Sequence, residues 1–166
     1  MQSKAVILAA LVAFAQARFG QEGLVQNSIQ ALSDFGKPGE AATLAGQTPG
    51  VLLAGASACA KLSLADQIVS TLGDDAQVIA AAAQLVAAEK NFNPSAVSIP
   101  TLCSDATLPA TAALRGILPL IDPAVLGSDV ANANSAQSLK NPFAAGGLSV
   151  ADVSKAQGFS NFTAQA

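Results

Sequence analysis

Apolar positions along this chain come in short bursts. Most repeat every three to four residues, and glycine or proline separates them, which predicts a series of short helices. Leu24, Val25, Ile29, Leu32 and Phe35 form one helical face, closed by Gly36 and broken by Lys37-Pro38-Gly39. Glu40 to Ala45 adds a turn. Thr48-Pro49 has the form of an N-cap followed by proline at the first helical position, predicting a helix over Val51–Ala60. Gly55, Ala56, Ala58 and Cys59 would give that helix a small-residue face for a close neighbour. Ser63 with Asp66 reads as a capping box for a helix carrying Leu64, Ile68 and Leu72 and ended by Gly73. Asp74-Asp75 heads the strongest pattern, Val78, Ile79, Ala82, Leu85 and Val86, with two carboxylates at the positive end of the helix dipole.

Beyond Asn91 the periodicity loosens. Pro94, Pro100 and Val97-Ser98-Ile99 predict an extended crossover over Asn93–Leu108, held down by Cys103. Pro109–Leu118 reads as helical, with Pro119 stopping it. Asp122-Pro123 is another cap-plus-proline start, Ser128–Leu139 a polar helix, and Asn141–Gly147 a loop. Ser149 caps a last helix to Gln157, with Asp152 in the box position and Gly158 just beyond. The phrases Leu62-Ser63-Leu64-Ala65-Asp66 and Leu148-Ser149-Val150-Ala151-Asp152 read as one cap chemistry used twice. Alternating β-branched runs and Asn-Gly or Asp-Gly hairpin turns are missing. The expected fold is all-α, a compact bundle of about five to seven short helices with one disulfide. Residues 159–166 are expected to be a flexible C-terminal tail after a single helical domain, 18–158.

The N-terminal run has a different character. Lys4 is followed by the unbroken apolar stretch Ala5–Ala15 and then Ala15-Gln16-Ala17. A basic start, a short apolar core and small residues at −3 and −1 of a cut are the parts of a secretory signal peptide, residues 1–17. The stretch falls well short of the about 20 residues that span a bilayer, so no membrane span is expected.

Export changes the reading of the cysteines. Cys59 and Cys103 are the only two, and in an oxidising compartment an even pair reads as a disulfide. Closing the loop between them is worth about 4 kcal/mol in the chain-entropy account. Charged residues make up 11% of the chain, under half of the usual share of about 25%. The formal net charge is −3, which repels phosphate backbones and excludes nucleic acid as a partner. Surfaces built from Ala, Ser, Gln and Asn suit a protein that comes to rest on another surface.

Candidate chemistry is sparse. The chain has no histidine, tryptophan or tyrosine, so it lacks the usual proton shuttle, the commonest metal ligand and the aromatics that line sugar sites. Gly55-Ala56-Ser57-Ala58-Cys59 resembles a nucleophile elbow but lacks the last glycine, and no histidine base exists; a helix-packing face is the better reading. Asp74-Asp75 offer paired carboxylates for a histidine-free hydrolase, but a dipole role at a helix start explains them more simply. No cofactor, metal or catalytic residue is expected, and the protein is read as not an enzyme. Asn161-Phe162-Thr163 is an N-glycosylation sequon with Asn161 as acceptor. Ala-rich helices also leave room for a second reading, a secreted module or effector that binds a lipid or another small hydrophobic ligand.

Leu52–Lys61 (LLAGASACAK), Asn91–Cys103 (NFNPSAVSIPTLC) and Gln157–Thr163 (QGFSNFT) resemble stretches of the small secreted cell-wall proteins on the conidia of filamentous ascomycete fungi. The resemblance implies a structural protein of the cell wall or spore surface that masks the surface from a host. Its partners would be cell-wall polysaccharide or other wall proteins. The chain departs from the hydrophobins, which need eight cysteines. It also lacks a Ser/Thr-rich stalk or a hydrophobic tail for a lipid anchor, so wall retention would be non-covalent or through another linkage.

Overall fold

Every helix among the described residues is shorter than four turns. The computed structural model describes residues 23–93, 95 and 97–166; the expected leader and its cleavage point lie outside them. Six α-helices, one 3-10 turn and two three-residue strands occur among the described residues. Helix α1 covers 23–30 and buries Val25 and Ile29, with Leu32 buried in the turn beyond. The helical pattern was expected to reach Phe35; the chain instead tightens into turns over 31–34. Gly36 follows with φ 70°, and a Cβ there would lie 2.8 Å from a Leu72 methyl carbon, so this corner takes only glycine.

Helix α2 (Glu40–Val51) corrects the reading of Thr48-Pro49. Ala41, Leu44, Ala45 and Thr48 are its buried face, an i, i+3, i+4, i+7 set that outweighs the local cap signal. Pro49 sits in the last turn, where the bond it removes is the one to the Ala45 carbonyl. The helix predicted over Val51–Ala60 is therefore absent; 52–59 is a run of turns leading into α3 (Ala60–Leu72). Ser63 lies inside α3 and does not cap it. Leu62, Leu64, Ala65, Ile68 and Leu72 are buried, and Gly73 stops the helix at φ 99°. Helix α4 (Ala76–Ala87) starts where the sequence places it: Asp75 caps it, accepting from Gln77 N at 2.8 Å. Helix α3 packs against both α2 and α4, and the alanines of α4 bring the helices close.

The second half relies less on helices. Strand β1 (Thr101–Cys103) follows the crossover, and a 3-10 turn (Ala112–Leu114) is all that forms of the helix expected over Pro109–Leu118. Gly116 at φ 81° explains the break. A Cβ there would lie 1.9 Å from the Phe143 carbonyl oxygen, so two backbones pass in contact, tied by Phe143 N to Gly116 O at 3.1 Å. Asp122-Pro123 opens a turn, and Gly127 at φ 87° leads into α5 (Ser128–Lys140). The buried face of α5 is polar and bonds directly to the extended segment beside it. Asn132 exchanges two hydrogen bonds with the backbone of Ile121, and Ser138 Oγ accepts from Leu118 N at 2.9 Å. Helix α6 (Val150–Ala156) begins with the predicted capping box of Ser149 and Asp152.

The chain's last segment is not a loose tail. Thr163–Gln165 is strand β2, paired in parallel with β1 in the register Thr101↔Thr163, Leu102↔Ala164, Cys103↔Gln165. Phe159, buried at the end of α6, anchors it beside Phe162, with ring centroids 5.7 Å apart. The core has two clusters. The larger spans α1 to α4 and reaches Ile117 and Val153. The smaller joins Leu102, Ile121, Val125, Ala131, Ala151 and Phe159. The all-α reading of the fold holds, with one small sheet added.

Candidate functional site

The two cysteines meet where the larger core cluster ends and the small sheet begins. Cys59 is the residue before α3 and Cys103 the last of β1; their sulfurs are 2.04 Å apart across a sequence separation of 44. Both are buried. The expected disulfide is present. Strand β2 lies over it: the Gln165 carbonyl is 3.4 Å from Cys59 Sγ and accepts from Ser104 N at 2.8 Å. The Gln165 side-chain oxygen accepts from Ala58 N at 2.9 Å.

Beside the bridge is a small recess where four ionisable side chains gather, Lys61, Glu89, Lys90 and Asp122, along with Phe92 and Thr101. Lys61 is the unexpected member. Its side chain is buried, and Nζ donates to the carbonyls of Val86 (2.8 Å) and Ala88 (2.5 Å), the free end of α4. Burial, then the charge of Lys90, lowers its pKa from 10.5 to about 7, against an opposing pull from Glu89. A neutral amine still has two protons, enough for both carbonyls. Lys90 Nζ donates to Ala54 O at 2.6 Å and Thr101 Oγ1 at 3.3 Å, and partial burial lowers its pKa too. The sequence carried a signal for Lys61: it shares the i, i+4, i+7 stripe of Ala65, Ile68 and Leu72 on the buried side of α3.

The recess holds about 20 Å³, room for a water molecule, whereas sites for small organic ligands run to about 300–1,000 Å³. A larger groove of about 330 Å³ runs between α2 and α3. It is open and mixed in character: Thr43, Gln47, Gln67 and Thr71 bring hydroxyls and amides, Pro38 and Leu44 apolar surface, and Glu40 a carboxylate.

Glu40, Asp66, Asp75, Asp105, Asp122 and Asp152 accept backbone N–H groups. Asp75 caps α4, so the Asp74-Asp75 pair marks a helix start. Asp66, expected in a capping box with Ser63, instead receives Ala110 N at 2.7 Å and Thr111 N at 2.8 Å, 44 and 45 residues away in sequence. Asp105 takes the Thr107 hydroxyl and backbone N–H, and Asp152 those of Ser149; in each case the hydroxyl bond first, then the backbone bond, lowers the carboxyl pKa. Ser57, in the elbow-like stretch, accepts from Cys59 N at 3.2 Å within a turn. No group of three or more metal-ligating Cys, Asp or Glu side chains occurs among the described residues. No helix among them is long and apolar enough to cross a membrane. Asn161 is half-buried, and Nδ2 donates to Leu126 O at 3.1 Å.

Arg115 is a structural hub that pattern reading missed. Its guanidinium donates to the carbonyls of Ala106, Pro109, Ala145 and Leu148, fastening two loops to each other. The sequence gives no warning of it, because all four acceptors are backbone oxygens. No protein-family model, curated protein or solved structure matches the chain.

Proposed function

We propose that this protein is an exported, non-enzymatic structural protein of a fungal cell wall or spore surface. There it lies against wall polysaccharide or other wall proteins and masks the surface beneath from a host. The observation that carries the reading is the buried Cys59–Cys103 bridge, the mark of an oxidising compartment, in a chain with a leader-like first segment. The use of Glu40, Asp66, Asp75, Asp105, Asp122 and Asp152 as acceptors for backbone N–H groups supports a load of shape rather than of chemistry. The hydroxyls and amides of the groove between α2 and α3 suit hydrogen bonding to a neutral polysaccharide. The recess beside the bridge is too small for a lipid and the larger groove is open to solvent, which weighs against a lipid-binding module.

Fractionation tests this. Cells, wall pellet and medium are separated, and the pellet is extracted in turn with salt, detergent and reductant. The expected result is protein in the wall pellet, lacking residues 1–17 and with its bridge intact. Protein found only free in the medium overturns the wall assignment, and intact Met1 with two free thiols overturns export.

A further inference from the structure

The sequon of Asn161 is built into the segment that closes over the disulfide. We infer that Asn161 carries an N-linked glycan, and that its attachment competes with the docking of β2. The inference rests on the export proposed above.

The sequon is pinned on both sides in the folded chain. On one side Phe159 is buried in the smaller core cluster, its ring tilted against that of Phe162. On the other, Thr163 N donates to Pro100 O at 2.8 Å, and Gln165 is held by Ser104 N and Ala58 N. The acceptor nitrogen is itself bonded to Leu126 O. A transferase has to take Asn-x-Thr as a free extended segment, so it can act here only before the strand docks. In the transfer, Nδ2 bonds to the anomeric carbon of an oligosaccharide carried on a lipid diphosphate. The bond from that carbon to the diphosphate oxygen breaks, the lipid diphosphate departs with the electron pair, and Nδ2 gives up one of its two protons. The other proton remains for Leu126 O, so the modified chain can still reach the same fold. Leu126 is 85% exposed and Val130, which lies near Gly158, is 40% exposed. A hydrated glycan on Asn161 screens this apolar surface.

The competition has a handle. Strand β2 docks on β1, and β1 is fixed by Cys103, so forming the disulfide early favours docking and lowers glycan occupancy.

The test expresses the full chain, with its own first seventeen residues, in a secreting yeast. Intact mass is measured on pooled cell and medium material, before and after an amidase that removes N-glycans and converts the acceptor Asn to Asp. The expected result is a glycosylated fraction with Asn161 as the converted residue. That fraction should be absent in Thr163→Val, which keeps a β-branched residue in the strand and the Asn161 amide. It should rise in the Cys59→Ser, Cys103→Ser double variant and in Phe159→Ala, which frees the strand with the disulfide intact. Exported protein without a glycan overturns the acceptor assignment and leaves the wall reading standing. Occupancy that stays level or falls in both loosened variants overturns the competition. Protein confined to the cytosol with Met1 attached overturns this inference and the proposed function together.

Discussion

Lys61 has its side chain buried in the core, and its position ties stability to pH. Unfolded, it holds its proton up to about 10.5; folded, it releases it near 7. Between those values the unfolded chain binds the extra proton, so raising the pH favours the folded state. Stability should therefore climb from about pH 7 towards 10, by up to about 1.4 kcal/mol per pH unit for one whole proton. Below pH 7 this contribution is flat and at its least favourable. Lys90, also lowered by burial, adds a slope of the same sign. Denaturant melts at neutral and alkaline pH check this: Lys61→Met should flatten the climb and leave the smaller part due to Lys90. A slope equally steep in that variant would mean the amine is charged and solvated in the native protein. The same variant leaves the Val86 and Ala88 carbonyls without their donor, so its stability at high pH should fall below that of the parent.

At the level of elements, two near-identical phrases behave differently. Leu148-Ser149-Val150-Ala151-Asp152 follows Gly147, whose φ of 76° is outside the helical region, so Ser149 becomes the cap and Asp152 closes the box. Leu62-Ser63-Leu64-Ala65-Asp66 follows Ala60-Lys61, which join the helix, so α3 starts earlier and Asp66 is released to hold the turn at Ala110 and Thr111. Asp66→Ala should thus cost more than Ser149→Ala: about 2 kcal/mol for losing two backbone hydrogen bonds to one carboxylate at a partly exposed turn, against about 1 kcal/mol for a lost cap. Equal losses in urea melts would refute the long-range role. The contrast marks what the sequence made legible. Helices α4 and α6 were readable because Asp75 and Ser149 act on residues two or three positions away. The disulfide was readable because only two cysteines exist. The polar helix α5 was readable as a helix, but its docking was not, because Asn132 and Ser138 bond to backbone atoms that have no letter of their own. Pro109–Leu118 misled because its composition is helical, while Gly116 serves a contact with Phe143 that local pattern cannot register. The tail misled for the same reason: Thr163-Ala164-Gln165 is too short to announce a strand and gains its order from β1.

Across the whole molecule, the bridge, the small sheet and the two core clusters form one closure. Cys59 leads the large cluster into α3, Cys103 ends the strand that carries Leu102 into the small cluster, and β2 seals the seam. Both cysteines belong to the larger cluster and Cys103 adjoins Leu102 of the smaller one, so the disulfide holds the larger cluster at its border and its loss should be felt on both sides. The chain-entropy account assigns about 4 kcal/mol to such a loop, a large share of a domain's net stability of about 5–15 kcal/mol. For a domain of this length each kcal/mol moves the melting temperature by about 2–4 °C, so Cys59→Ala with Cys103→Ala should lower it by roughly 10 °C. Access to the bridge is a separate quantity. Both sulfurs are buried and Gln165 lies across Cys59, so reductant reaches them only when β2 lifts. Deleting residues 163–166 should therefore speed thiol release in native buffer while leaving most of the large cluster's stability intact. Quenching with a thiol-specific alkylating reagent over time, beside a thermal melt, separates the two effects. If the deletion leaves the reduction rate unchanged, the strand is not the barrier, and the opening that exposes the sulfurs lies between α3 and the crossover instead.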